Sequence, residues 1–390
     1  MANGSRHSLF AVKESVYGQT PNNPALDLVR ITGTTLGLAK DSLQSEEIRS
    51  DRQIADFRLG ANQVGGDINF ELSYGSFDQF LEAVLLSAAW AAPADTGVTT
   101  IDATATGYSR AAGSFLTDGF AVGQTVTASG YTGSGFNGKS IVTAVTALTM
   151  DTTIIGSGTH GVEAGDADEQ IIASQSVKAA STRASFTFVR QFADILAADN
   201  PFYIYRGVEL NSMQLTISAN SMVTGTFSVV GQSQETAQDL TGLGTPTYPP
   251  ASTTSPLDSF TGTLEEGGTT VAVVTEISMT LQNGIEPRFV VGDKNSIYPS
   301  VGRSNLTGQV TAYFENSTLV NKFLNETESS LVFSLPDGAG NTQRYRIPRI
   351  KYTGGQPDVA GEGPITLAMP FQALLDSSES TNMLIERTPA

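Results

Sequence analysis

RSDRQIADFRLGANQVGGDINFELSYGSFDQFLEAVLLSAAW, residues 49–90, sets a charged arm, an alternating strand and an amphipathic helix one after another. Over residues 63–73, Gln63, Asp67, Asn69, Glu71 and Ser73 are polar while Val64, Ile68, Phe70 and Leu72 are apolar. Side chains alternate across a strand, so this period predicts a half-buried strand with one wet face. Ser76 and Gln79 have capping-box spacing and predict a helix start there, with Phe77, Phe80, Leu81, Val84 and Leu85 as its apolar stripe. The order returns more weakly over residues 305–324. There Leu306, Gly308, Val310, Ala312 and Phe314 alternate with Thr307, Gln309, Thr311, Tyr313 and Glu315, and Ser317, Leu319, Phe323 and Leu324 suggest a second short helix.

Outward from this block, composition narrows the function classes. With 390 residues the chain can build two or three domains with real cores. It has no cysteine, which excludes disulfides, thiolate metal sites and cysteine nucleophiles. Lys plus Arg number 22 against 39 Asp plus Glu, a net charge of −17, and such a surface does not seek a phosphate backbone. No apolar run is long enough for a membrane span and residues 1–20 lack a signal-peptide core, so synthesis and folding in a cytoplasm are expected.

Patterning changes after Trp90. From about residue 93 to 173 the chain is rich in Gly, Thr, Ala and Ser with small β runs, and residues 96–172 read as an inserted β domain. Its expected core is Phe115, Phe120, Val122, Val126, Tyr131, Phe136, Ile141, Val142, Val145, Leu148 and Met150, with tight turns of positive φ at Asp118-Gly119 and Asn137-Gly138. Residues 241–256, TGLGTPTYPPASTTSP, have a connector's composition. Before it, Met213, Leu215 and Ile217 alternate with Ser212, Gln214, Thr216 and Ser218; after it, Ile277, Met279 and Leu281 alternate with Glu276, Ser278, Thr280 and Gln282. Aligning Gly66 with Gly308 also aligns Val64, Ile68 and Leu72 with Leu306, Val310 and Phe314, which implies an internal duplication. The expected organisation is therefore a first domain in two parts (1–95 and 173–240), the insert (96–172), the connector (241–256) and a second domain (257–390).

The strand-helix block and the opening FAVKESVYGQTPNNP, residues 10–24, resemble the tail tube proteins of long-tailed bacteriophages. The likeness is good over residues 8–90 and 180–235 and looser over 260–385. It implies a mainly β chain with short helices, built from a duplicated β-sandwich or barrel domain that contributes strands to an intermolecular β-barrel. In that family rings stack into a tube through which double-stranded DNA passes. Two tube domains per chain then imply a pseudo-sixfold trimer, with a true hexamer as the competing arrangement. The insert looks like the small β modules that decorate phage tails and is expected on the exterior. The resemblance further implies a virion tail protein that associates with itself and with other tail proteins, binds no cofactor and runs no reaction.

Under that resemblance the polar strand faces become channel-lining candidates: Asp67, Asn69, Glu71, Gln214, Thr216, Ser218, Thr224, Thr226, Glu276, Gln282, Gln309 and Glu315. The bland alternative is a sheet face in bulk solvent. Residues 40–58 are dense in both signs, and Lys40, Asp41, Glu46, Glu47, Arg49, Asp51, Arg52, Asp56 and Arg58 are candidates for pairing across subunits or rings. Local ion pairs on an exposed segment are the simpler account. Catalytic constellations are scarce: His7 falls in an expected flexible terminus and His160 in a Gly-rich turn, too few for a His triad or a multi-histidine metal site. Glu163, Asp166, Asp168 and Glu169 lack the ligand spacing of a calcium loop. Gly292-Asp293-Lys294 lacks the rest of a phosphate loop. From another class, a β-sandwich carbohydrate-binding or adhesion module on a virion is the alternative, and exposed aromatic platforms would favour it.

Overall fold

The alternating stretch forms one long strand, Phe57–Glu71, with Val64, Ile68 and Phe70 buried and the residues between them half exposed. The computed structural model describes residues 2–390 except Ser134, Gly156, Ser157, Thr261, Ala272 and Ala360. Its residues fall into two compact units, one of residues 1–88, 179–337 and 347–383, the other of residues 89–178, 338–346 and 384–390. Both are β-rich.

The main elements of the first unit are β1 (His7–Lys13), β2 (Gly37–Gln44), β3 (Phe57–Glu71), α1 (Asp78–Val84), β4 (Phe186–Phe192), β5 (Phe202–Ser218), β6 (Thr224–Gly231), β7 (Thr263–Glu266), β8 (Val274–Gln282), β9 (Asn305–Tyr313), α2 (Thr318–Leu324), β10 (Ser329–Pro336), residues 347–352 of β11 (Thr342–Tyr352) and β12 (Thr366–Ala373). The early strands pair antiparallel in the order β1, β4, β5, β6, β3, β2. The late strands repeat much of that order: β7 pairs with β10, and β11, β12, β9 and β8 follow one another. With Gly66 set on Gly308, Val229 falls on Phe371, because each pair is opposite in its own sheet. Leu210 then falls on Tyr352 and Leu215 on Pro357, again through their partners. The repeat therefore extends beyond the strand-helix block to the pairing pattern itself.

Glycine is required at both anchor positions. At Gly66, φ is +141° and an added Cβ would lie 2.7 Å from the Thr35 carbonyl and the Leu36 nitrogen. At Gly308 it would lie 2.5 Å from the Ser278 carbonyl oxygen and the Phe371 ring.

β5 joins the halves. Its residues 212–218 pair with β6 on one side and with β8 on the other, from Ser212 opposite Gln282 to Ser218 opposite Glu276. This ladder gathers the two expected tube domains into one compact unit. Residues 241–256 are docked along that unit rather than free: Thr247 bridges Ala25, the Leu243 carbonyl accepts from Asn23 N–H, and Leu240 and Leu243 are buried with Leu26, Val189 and Ile204. Two leucines at its start supply apolar contact that the Pro and Ser content conceals.

The first helix packs as its stripe requires. Phe77 lies 4.5 Å from Phe70, centroid to centroid, and Phe80 contacts Phe186, Phe188 and Phe227 at 5.4–5.8 Å. Its start differs from expectation: the N-cap is Phe77 with no side-chain cap, the Ser76 hydroxyl bonds to Ser73 and Ser252, and Gln79 donates to Asp27. Competing hydroxyl partners brought by distant segments displace the capping box. The second helix is a weaker counterpart. Asn316 Oδ1 accepts from Thr318 N–H at its start, but α2 buries no residue and Leu324 is 62% exposed. Truncation of Phe80 to Ala removes the ring that couples α1 to β4 and β6 and is expected to cost about 3–5 kcal/mol. Urea unfolding followed by far-UV circular dichroism measures it, and a loss below about 1 kcal/mol would mean that the site collapses around the gap.

The second unit contains a six-stranded sheet formed by Asp102–Thr104, Gly107–Ser109, Thr125–Ser129, Gly138–Val145, Thr149–Ile154 and Gln170–Ala173. Ile101, Tyr108, Phe115, Phe120, Val126, Tyr131, Val142, Met150 and Ile171 are its main core side chains. Val122 and Leu148, expected inside, are 52% and 44% exposed, and Ile141 is half buried. Ile101 and Ile171 close the core instead, from outside the run in which it was sought. Gly119 and Gly138 have positive φ, as their turn dipeptides require. The unit is larger than the expected insert. Gln175–Lys178 pairs with Leu384–Thr388, which also pairs with residues 342–346. The C-terminal end of the chain pairs with Gln175–Lys178, just past the expected insert, a choice that local patterning does not encode.

Candidate assembly surfaces and channel face

Strand register decides which polar residues share a face. One row runs Asn69, Thr226, Gln214, Thr280, Thr307 and Gln372, each opposite the next on adjacent strands. Glu71, Thr224, Thr216, Ser278 and Gln309 form the row beside it, and Ser218, Glu276 and Thr311 the next. Asp67, Ser228, Ser212, Gln282 and Asn305 make the row on the other side. All the sequence candidates except Glu315 therefore lie on one continuous face. Glu315 lies two residues past the end of β9 and is exposed in the loop, because the strand ends before its alternation does. Residues not chosen from sequence also belong: Ser212, Ser228, Thr280, Thr307 and Gln372, with Lys351 and Asp358 at the far edge. Their alternation is visible, but only pairing assigns a strand to a face.

This face is wet and weakly acidic. Thr226 Oγ1 donates to Asn69 Oδ1 at 2.8 Å and Ser228 Oγ to Asp67 Oδ1 at 2.5 Å, so hydroxyls and amides satisfy one another across strands. Its rows carry Asp67, Glu71, Glu276 and Asp358 against Lys351.

Among the described residues, β2 pairs only with β3, and residues 357–358 pair only with β12. In the repeat these are counterparts of β8 and of the end of β5, which do pair with each other. Exposure follows the difference: Ile217 at the filled junction is 9% exposed, whereas Val359, its counterpart, is 65% exposed. Pro357 has no N–H to give and blunts this edge against indiscriminate pairing.

Residues 39–59 are exposed throughout and form a hairpin arm from the ends of β2 and β3 around the loop 45–56. Two of its arginines pair within the arm. Arg49 binds Asp51 through two bonds of 2.7 and 3.0 Å and lies 4.0 Å from Glu47, and Arg58 lies 3.2 Å from Asp56. Asp41 accepts from Gln63. Beside the root of the arm, Asn62 bonds through its backbone N–H to the Lys294 carbonyl and through its side chain to Asn295, both at 2.7 Å. Those residues belong to a second hairpin, Glu286–Arg288 with Ile297–Ser300, anchored by the ion pair of Arg183 with Glu209. Burial pushes the Glu209 carboxyl up while Arg183 opposes it, and the Arg183 guanidinium also covers the Tyr298 ring at 3.9 Å.

Residues 4–373 match the family model for the phage tail tube protein. The chain belongs to the phage tail tube protein family. It is thus a structural component of the virion tail, and the mainly β architecture agrees with a tail tube fold. Among curated proteins nothing matches.

The remaining polar clusters in this tail tube chain have structural partners. His7 sits in β1 opposite Phe192, not in a loose terminus; its Nε2 accepts from Arg190 Nε at 3.0 Å, and burial followed by Arg190 lowers its pKa. His160 bonds to the Thr152 carbonyl. Arg387 lies over the Trp90 ring at 4.6 Å within the second unit. The acidic group near residue 166 ties loops: Glu163 accepts from Thr132 and Gly133 N–H, and Glu169 from Ile101, Asp166 and Ala167 N–H. In the second unit Tyr108, Phe115, Phe120 and Tyr131 are buried rather than displayed as platforms.

Burial alone would raise the Glu169 carboxyl, but the backbone N–H groups hold it below its ordinary value. A depressed carboxylate contributes stability that is full above its unfolded pKa and is lost as pH falls through the folded one. Glu169→Gln is expected to cost the second unit about 1–3 kcal/mol at neutral pH, with the deficit vanishing in acid. The single tryptophan, Trp90, lies in this unit, so denaturant unfolding followed by its fluorescence across pH checks the expectation.

Proposed function

We propose that the chain closes rings through its two free edges and that the rings stack into the tail tube through which DNA is ejected. The observation that carries this reading is the internal junction of β5 with β8. Each half brings one donor edge and one acceptor edge. One pair is joined within the chain, and the other is left as residues 33–39 and 354–359. Repeating the internal register between copies sets Gln356 opposite Gly37, Gly355 opposite Leu38 and Val359 opposite Thr34. A sheet continued in this way closes without edges, with two similar halves per chain and three chains in a pseudo-sixfold ring. The face of Asp67, Gln214 and Glu276 then lines the channel, and the second unit is a decoration that polymerisation does not need.

Cryo-electron microscopy of the polymerised protein tests the reading. Tubes whose rings hold three chains, with strands 33–39 and 354–359 of neighbouring copies paired, are expected. Six chains per ring, or a late half outside the channel wall, would overturn the trimer.

A further inference from the structure

The two halves of the first unit fill the space between sheet and helix differently. In the early half Phe70 projects from β3 between Phe77 and Phe227, 4.5 Å from each ring centroid, and its ring covers Gly225 opposite it, where an added Cβ would run into it. With Gly66 set on Gly308, Phe70 falls on Ala312, Gly225 on Leu367 and Phe227 on Met369. The late sheet thus lacks two rings and gains one leucine. Nor does α2 make up the difference: it buries no residue, and Phe314, the counterpart of the fully buried Leu72, is half exposed. What is left between α2 and the sheet is an open cavity of about 410 Å³, with Val273, Ala312, Phe314, Leu319 and Leu367 among its walls. Pockets for small molecules are of this size, roughly 300–1,000 Å³, and are mainly apolar.

The charges in the cavity wall are already paired. Lys322 Nζ donates to both oxygens of Glu266, at 2.8 and 2.6 Å, and to Ser329 Oγ at 3.2 Å, which uses all three of its N–H groups. Glu266 also accepts from Ser329 and from the Tyr352 hydroxyl. A charged ligand would have to break this cluster, whereas a neutral one leaves it intact. The methylenes of Lys322 add apolar wall, and its ammonium favours the π face of a ring beside it.

We propose that the cavity beneath α2 is a binding site for a small neutral aromatic molecule, whose ring takes the place that Phe70 holds in the early half. The bound ring supplies α2 with the apolar contact that its own side chains do not make, so binding and ordering of the helix are coupled. None of this needs assembly, and its failure would leave the ring reading untouched.

Indole titrated into the unassembled full chain, with methyl resonances followed by NMR, tests the site. Saturable shifts are expected at Val273, Leu319 and Leu367, with slower amide exchange across residues 318–324 once indole is bound. Ala312→Phe with Leu367→Gly rebuilds the Phe70–Gly225 pair of the early half and should weaken binding roughly tenfold or more. Should that exchange disturb the sheet, Leu319→Trp fills the same space from a helix that buries nothing and should have the same effect. Indole-3-acetate and tryptamine should each bind roughly tenfold more weakly than indole, because their charges find no free partner in the wall. The absence of saturable shifts, shifts that survive both fillings, or a charged analogue that binds as tightly as indole would overturn the proposal.

Discussion

Val359→Asp combined with Gln356→Pro is expected to leave the chain folded and to stop rings from closing. Val359 is 65% exposed, so the isolated chain loses little by the exchange. Its counterpart Ile217 is 9% exposed inside the internal junction, which shows what assembly does to this position if the junction is repeated between copies. Burial of a valine contributes about 1.5–3 kcal/mol, and burial of an unpaired carboxylate opposes assembly further. Proline removes one N–H from the ladder. A deficit of about 3 kcal/mol per junction corresponds to roughly a hundredfold rise in the concentration needed to assemble. Sedimentation velocity with negative-stain microscopy measures it. Normal tubes from this variant would exclude the 354–359 edge from the ring.

Glu71→Lys, Glu276→Lys and Gln214→Lys together are expected to leave tubes intact and slow genome ejection by more than tenfold at low salt. These side chains occupy neighbouring rows of the polar face, away from the core and from both free edges. Duplex DNA carries about one charge per 1.7 Å, and each phosphate neutralised by lysine releases counterions, so a basic wall holds the passing strand at every ring. The log of that affinity falls with log salt by about 0.9 per phosphate, which means that added salt should restore ejection in the variant. Dye-labelled genome release from virions carrying the variant chain checks this. Release at the normal rate through tubes of confirmed altered lining would remove lumen repulsion from the account. Glu315 is no part of this test because it lies off the sheet.

How far the site was legible varied with the range of the interaction. The alternation at Gln63 to Leu72 placed a strand and told its dry side from its wet side, and eleven of the twelve channel candidates fell together once strands were paired. Local chemistry misled where a remote group intervened: Ser76 has the spacing of a cap, yet Ser252 takes its hydroxyl. In the arm the sequence shows the signs of the charges but not their distances: Arg49 is bound by Asp51 two residues away.

By itself the sequence determined the mainly β class, the apolar and polar sides of its long strands, and the two positions, Gly66 and Gly308, where only glycine fits. Each follows from backbone periodicity or from steric limits at one residue, which operate over a few neighbours. Only the tertiary structure decided that β5 pairs with β8, that the connector docks, that residues 338–346 and 384–390 join the unit of residues 89–178, and which edges stay open. Any alternating strand can pair with many others through the same backbone groups. The choice among them rests on packing summed over the whole chain, and that sum is not written at any one position.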